Sequence, residues 1–271
     1  MNRIDQTFQD LRARGQKAFL PFITAGDPDL VTTEQLIREL SRRGANIIEI
    51  GIPYSDPIAD GPIIQASYTR SLRQELKLDA IFQSLAELTS APSDKPLSPL
   101  VVMVSYAIVF RYGCQRFVEA AKGAGLCGMI VPDLPVEEAA ELSTIARRNG
   151  LALILLVTPT TPRERAIEIA RVSSGFLYYV SVAGITGERV TLPPGIAEQV
   201  AWLKTITSLP VCIGFGISRP EHIQMLAPVA DGVIVGSAIV RRIGEGAGKP
   251  REQLVNEIGE FVAGLTKAAG L

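Results

Sequence analysis

Eight short apolar runs rich in β-branched residues recur along this chain, with amphipathic stretches of helical spacing between and after them. The runs are Ala18 to Ile23, Asn46 to Ile50, Leu100 to Val104, Cys127 to Val131, Ala152 to Val157, Phe176 to Val180, Val211 to Gly214 and Gly232 to Val235. The helical stretches are Leu30 to Arg43, Ala66 to Leu76 with Leu78 to Leu88, Arg116 to Ala124, Val136 to Arg148, Pro162 to Arg171, Ile196 to Thr207, Pro220 to Leu226 and Arg251 to Lys267. Strict alternation brings each strand back parallel to the last, and eight repeats close into an α/β fold, the (β/α)8 TIM barrel. Asn46 to Ile50, closed by Gly51, has the look of a parallel strand buried on both faces. Two additions are expected. Ile4, Phe8 and Leu11 repeat at helical spacing, giving an extra N-terminal helix over one end, and the long interval between the second and third runs holds an extra helix. Ser90 to Pro99 is Pro- and Ser-rich but only joins a helix to a strand, so residues 1–271 are expected to form a single barrel domain.

Composition excludes several functions. A formal net charge of -1 and a pI near 6.0 give no electrostatic basis for nucleic-acid binding. The longest apolar run, Leu151 to Val157, is far short of the ~20 residues that cross a membrane. Cys114, Cys127 and Cys212 lie far apart in no metal-ligand spacing, which predicts no metal and a reducing, cytoplasmic location. Asp5 and Asp10 argue against an acid-poor transit peptide.

The chemistry is expected at the C-terminal ends of the strands. Glu49 ends the second run, where burial disfavours its charged form and raises its pKa toward neutrality. Asp60 lies in the Pro-punctuated loop behind it, where better solvation is expected to keep it an anion. Two carboxyls held apart in pKa make an acid and base pair. Each has a plainer reading too: an ion-pair partner for a lone strand glutamate, a turn residue for Asp60 in Ala-Asp-Gly-Pro. Small residues cluster after the last three runs, at Ala183 to Gly187, Gly214 to Ser218 and Gly236 to Ala238, and a short helix is expected to open at Ser237 and run to Arg241. Backbone N–H groups and a helix N-terminus there suit a phosphate. No lysine stands at a strand C-terminus, which argues against a Schiff base. His222, the only histidine, reads as a partly exposed surface residue. What remains is proton transfer by two carboxylates on a phosphorylated substrate.

Pro21 to Pro28, Glu49 to Gln65 and Pro132 to Glu138, with Gly184 to Gly187, Gly214 to Ser218 and Val233 to Ser237, resemble blocks of the tryptophan synthase α subunit family, and the likeness runs end to end. The resemblance implies retro-aldol cleavage of indole-3-glycerol phosphate to indole and glyceraldehyde 3-phosphate. In it, Glu49 protonates indole C3 and takes the glycerol hydroxyl proton, and Asp60 holds the indole N–H. Phe22, Ile64, Tyr178, Thr186 and Phe215 would contact substrate, with a one-residue slip enough to turn Tyr178 outward. Gly187, Gly216, Gly236 and Ser237 would hold phosphate. The resemblance further implies an α2β2 complex whose β subunit carries pyridoxal phosphate, with no cofactor in this chain. The loops around Asp56 and Ile185 to Arg189 would answer to that partner, Glu188 and Arg189 closing over substrate. One departure stands out: Val104-Ser105-Tyr106-Ala107-Ile108, where many relatives carry Thr-Tyr-Tyr-Asn-Pro, so Ser105 replaces a pocket aromatic and Ala107 an asparagine. Two other readings stay open: another phosphate-binding barrel isomerase, and a catalytically weak subunit kept to regulate β.

Overall fold

The computed structural model describes residues 2–57, 60–92, 95–180, 195–214, 216–268 and 270. Its strands are β1 (Ala18–Thr24), β2 (Ile48–Gly51), β3 (Leu100–Met103), β4 (Gly128–Ile130), β5 (Ala152–Ile154), β6 (Leu156–Val157), β7 (Leu177–Val180), β8 (Val211–Gly214) and β9 (Gly232–Val235). Its helices are α1 (Arg3–Ala13), α2 (Leu30–Arg42), α3 (Pro62–Leu72), α4 (Leu78–Ser90), α5 (Tyr106–Tyr112), α6 (Cys114–Gly123), α7 (Ala139–Arg148), α8 (Arg163–Val172), α9 (Ile196–Ile206), α10 (Pro220–Leu226), α11 (Ser237–Gly246) and α12 (Arg251–Ala268).

The strands pair in the order β5-β4-β3-β2-β1-β9-β8-β7-β6, every pair parallel. The two end strands are halves of one run, separated only by Leu155, whose carbonyl accepts from the Tyr178 N–H at 3.2 Å. The sheet therefore comes round on itself through the fifth run, forming the eightfold barrel that the alternation predicts.

Alternation along each strand divides the side chains between two cores. Ile48, Ile50, Val102 and Ile213 face outward to the helices, while Leu20, Ile47, Val101, Ile154 and Tyr178 fill the interior. Helix α1 closes the N-terminal end: Ile4, Phe8 and Leu11 are buried in the interior cluster, and the Phe8 ring lies 6.0 Å from that of Phe176. Asn2 caps this helix and binds Asp5 reciprocally, while its Nδ2 donates to the Cys127 and Gly150 carbonyls at 2.7 and 2.8 Å.

Several boundaries differ from the sequence reading. Helix α3 begins at Pro62, not Ala66, because proline suits the first helical position and Gly61 before it serves as the N-cap. It stops at Leu72, before the expected Leu76. The stretch after β3 holds an additional helix, α5, whose Ser105 N-cap accepts from the Ala107 N–H at 3.3 Å. Helix α11 runs on to Gly246 rather than stopping at Arg241, since Ile239, Val240 and Ile243 keep its inner face buried.

Candidate active site at the mouth of the barrel

Glu49 precedes the end of β2 by two residues. Its inward direction follows from alternation: Ile48 and Ile50 belong to the outer core and Ile47 to the inner one. It pairs in register with Phe22 on β1. The carboxyl is fully buried, and neither oxygen has a hydrogen-bond partner among the described residues. Burial lifts its pKa from the ordinary 4.5 to about 8, with the negative charge of Asp60 adding to the effect. No cation among the described residues pairs with it, so within them the ion-pair reading of Glu49 finds no partner.

Asp60 sits just before the Gly61 cap of α3. Its N–H donates to the Pro57 carbonyl at 3.1 Å, and its own carbonyl accepts from Gln65 Nε2 at 2.8 Å. It is only partly exposed, and burial, helped by the charge of Asp133, raises its carboxyl to about 6. This corrects the expectation of a well-solvated aspartate. The order of the pair survives: near pH 7 Glu49 holds its proton and Asp60 is mostly ionised.

Helix α3, which carries the Asp60 loop, is fastened along one face to the end of β1. Ser67 and Thr24 hydroxyls lie 2.7 Å apart, Ser71 Oγ donates to the Ala25 carbonyl at 2.6 Å, and Arg70 makes two bonds to buried Asp27 at 2.9 and 2.6 Å. Positions 67, 70 and 71 share a helix face, so one stripe of polar residues sets the helix against β1.

Phe22 and Ile64 come together in a buried cluster with Tyr68 and Val240. Tyr178 points into the barrel, so no slip of register occurs, and the Glu49 carboxylate is among the charges that raise its phenol pKa, after burial. Gly51 and Gly214 make room here. A Cβ on Gly51 would enter the Phe22 ring, and one on Gly214 would lie 2.7 Å from the Tyr178 hydroxyl. Gly236 is the N-cap of α11, beside Phe22, and its carbonyl accepts from Ile239 and Val240. The earlier N–H groups, of Ser237 and Ala238, have no acceptor within the helix. Gly216 is exposed with φ of 48°, a left-handed conformation that favours glycine. Thr186, Gly187 and Phe215 lie outside the described residues, as do Ile185, Glu188 and Arg189.

His222 corrects another expectation: it is 8% exposed, and its Nδ1 accepts from the Ser218 N–H at 3.4 Å, fixing the turn before α10. The departure after β3 also acquires a structure. Ser105 Oγ donates to Asp133 Oδ2 at 2.6 Å and the Tyr106 N–H to Oδ1 at 2.7 Å, which ties the third loop to the fourth. Sequence reasoning singled out neither Asp133 nor Tyr68. Asp133 lay within a quoted motif, but only its partner on another loop shows what it does; Tyr68 looked like one more apolar position of an amphipathic helix.

A (β/α)8 barrel with a proton-holding glutamic acid, a neighbouring aspartate and a helix N-terminus at its mouth has the layout of a barrel enzyme, whose reacting groups lie at the C-terminal ends of the strands. The sequence profile described as "Tryptophan synthase alpha chain" matches residues 8–269. A tryptophan synthase alpha chain of Rhodopirellula baltica is 50% identical over 275 residues, covering 99% of each chain. The crystal structure of tryptophan synthase subunit alpha from Legionella pneumophila superposes with a TM-score of 0.89 at 35% identity, covering 100% of this chain and 99% of that one. A chain of the tryptophan synthase complex from Pyrococcus furiosus gives 0.82 at 37% identity, covering 93% and 99%. This chain belongs to the tryptophan synthase alpha chain family. Its place is in tryptophan biosynthesis, and these likenesses favour neither the isomerase nor the degenerate-subunit alternative.

Proposed function

We propose that this chain is the lyase that cleaves indole-3-glycerol phosphate to indole and glyceraldehyde 3-phosphate, with Glu49 and Asp60 as its catalytic groups. The observation that carries the proposal is the fully buried Glu49 carboxyl, unpaired among the described residues and protonated near pH 7, with a mostly ionised Asp60 nearby. Glu49 gives its proton to indole C3, and the ring nitrogen takes up the positive charge. Asp60, accepting from the indole N–H, stabilises that charge. The Glu49 carboxylate then removes the proton of the adjacent glycerol hydroxyl. The O–H electrons form the aldehyde carbonyl, the C–C electrons return to the ring, and Glu49 is again protonated. No proton is gained or lost overall. The substrate's own ring is the electron sink, so neither lysine nor metal is required. Phe22, Ile64 and Tyr178 form the apolar wall that suits a bulky ring. The N–H groups opening α11, with Gly216, Gly236 and Ser237, hold the phosphate, and Thr186, Gly187 and Phe215 are assigned to the same pocket from the family likeness.

The partner is a tryptophan synthase β subunit in an α2β2 assembly, which would carry the pyridoxal phosphate. Two separate features of this end of the barrel support this. The Phe110 side chain on α5 is 69% exposed, and other residues of the same helix, Ile108 and Tyr112, line a cavity of about 790 Å³ with Pro53, Tyr54 and Asp56. An exposed aromatic side chain and an apolar cavity are surfaces of the kind that a partner covers.

The test is indole release by Glu49→Gln. Turnover should fall by a factor of ~10² or more, the weight of a lost general acid, with substrate binding nearly unchanged. Near-normal turnover would overturn the proposal.

A further inference from the structure

Tyr68 lies on α3, two turns past Asp60, and is 2% exposed. Its ring packs against Phe22, Ile64 and Val240, and lies 5.7 Å from that of Tyr54. The hydroxyl does something different from the ring. It stands at the end of β2, where a Cβ on Gly51 would fall 3.0 Å from the phenol oxygen, and residue 51 faces the same side of the strand as Glu49. The phenol makes no hydrogen bond among the described residues, and both oxygens of Glu49 are likewise unpaired. Two polar groups without a hydrogen-bond partner among the described residues thus share one wall of the mouth, and of these the Glu49 oxygens are the fully buried ones. One is an O–H donor; the other becomes an acceptor-only group once it has given up its proton.

We propose that Tyr68 is a positioning residue of the acid pair, its phenol donating a hydrogen bond to the Glu49 carboxylate formed during turnover. While Glu49 is protonated it has little need of a donor, which accords with the unpaired resting arrangement. When the proton leaves, a bare carboxylate in an apolar wall is costly, and a poised phenol lowers that cost and fixes the carboxylate for the second proton transfer. Tyr178 stands on the opposite strand, with its hydroxyl against Gly214, and is assigned to the substrate. The groups that act on Glu49 or on its neighbours are Asp60, Asp133, Tyr54, Tyr68, Tyr178 and Cys212. Of these, Tyr68 is the phenol that stands beside the end of the Glu49 strand itself, with no hydrogen bond among the described residues.

This inference rests on the lyase reading, so the experiment separates the two. Indole release from indole-3-glycerol phosphate is followed against pH for the wild-type chain, Glu49→Gln, Tyr68→Phe and Val240→Ala. Tyr68→Phe keeps the ring and should fold normally. Its kcat should fall about tenfold, the weight of one hydrogen bond to a charged group, with KM within about twofold. The alkaline limb of its pH profile should move up by about one unit, because the ionised form of Glu49 has lost a donor. Val240→Ala loosens the packing around Tyr68 without removing the hydroxyl and should leave that limb in place. If Tyr68→Phe keeps the wild-type kcat and pH profile while Glu49→Gln is inactive, Tyr68 is wall packing and the inference is wrong. A rise in KM without movement of the limb would also overturn it, by assigning the phenol to substrate. Retained activity in Glu49→Gln would instead remove the lyase reading itself.

Discussion

The floor and the mouth of the barrel are the two ends of the same strands, yet they treat polar groups in opposite ways. At the floor, Ile4, Phe8 and Leu11 close the interior with hydrocarbon, and Asn2 uses its side chain for a helix cap and two carbonyls. Arg147 at the end of α7 binds the Arg171 and Val172 carbonyls, a cation matched to the negative ends of helices. At the mouth, Glu49 is buried with both oxygens unpaired among the described residues, and Gly51 and Gly214 replace side chains that would fill the space. The floor is built for stability. The mouth holds a group whose charged form is costly, which is what a proton donor working near pH 7 requires.

The largest expected effect lies at the mouth. Glu49→Gln should lower turnover by ~10² or more, as should Asp60→Asn, measured by indole release. The same Glu49 variant should be revealing in stability. Folding raises the pKa of Glu49 from 4.5 to about 8, so between these values the folded chain holds a proton that the unfolded chain has lost. That contribution is greatest below about pH 4.5 and is lost as pH rises toward 8, amounting to a few kcal/mol on the order of magnitude. Glutamine cannot titrate, so denaturant unfolding of Glu49→Gln should lack this part of the slope with pH. Next comes the floor: Phe8→Ala should cost about 3 to 5 kcal/mol in urea unfolding and leave the pH dependence of catalysis unchanged. If it shifted the catalytic pH limb, the two ends would not be independent. Ser237→Asp should chiefly raise KM by setting charge against the phosphate, with stability little changed. Smallest is Asn2→Ala, which should remove about 1 kcal/mol of helix capping and leave turnover intact.

The same contrast explains what was legible in the sequence. The eight runs stood out because a buried parallel strand must be continuously apolar, and Ile4, Phe8 and Leu11 because a plug needs one apolar face. Glu49 was visible as an acid at the end of such a run, and its unpaired state is what the structure adds. Helix α5 escaped because Ile108, Val109 and Phe110 read as strand formers, while the Ser105 cap that starts the helix is tied to Asp133 on another loop. The raised pKa of Asp60 escaped because it depends on tertiary burial and on the charge of Asp133, which the fold brings near from a distant loop. His222 was misjudged for a similar reason: its partner, the Ser218 N–H, is set by the turn before α10. Tyr68 stayed hidden because helical spacing shows that a ring is buried but not where its hydroxyl ends.

The most direct test of the account is an infrared titration of the folded chain without substrate, taken as the difference between wild type and Glu49→Gln. A protonated carboxyl band should be present at pH 7, disappear with a midpoint near 8, and be absent from the variant. A band already lost by pH 5 to 6, with carboxylate in its place at neutrality, would contradict the claim that Glu49 rests as an acid.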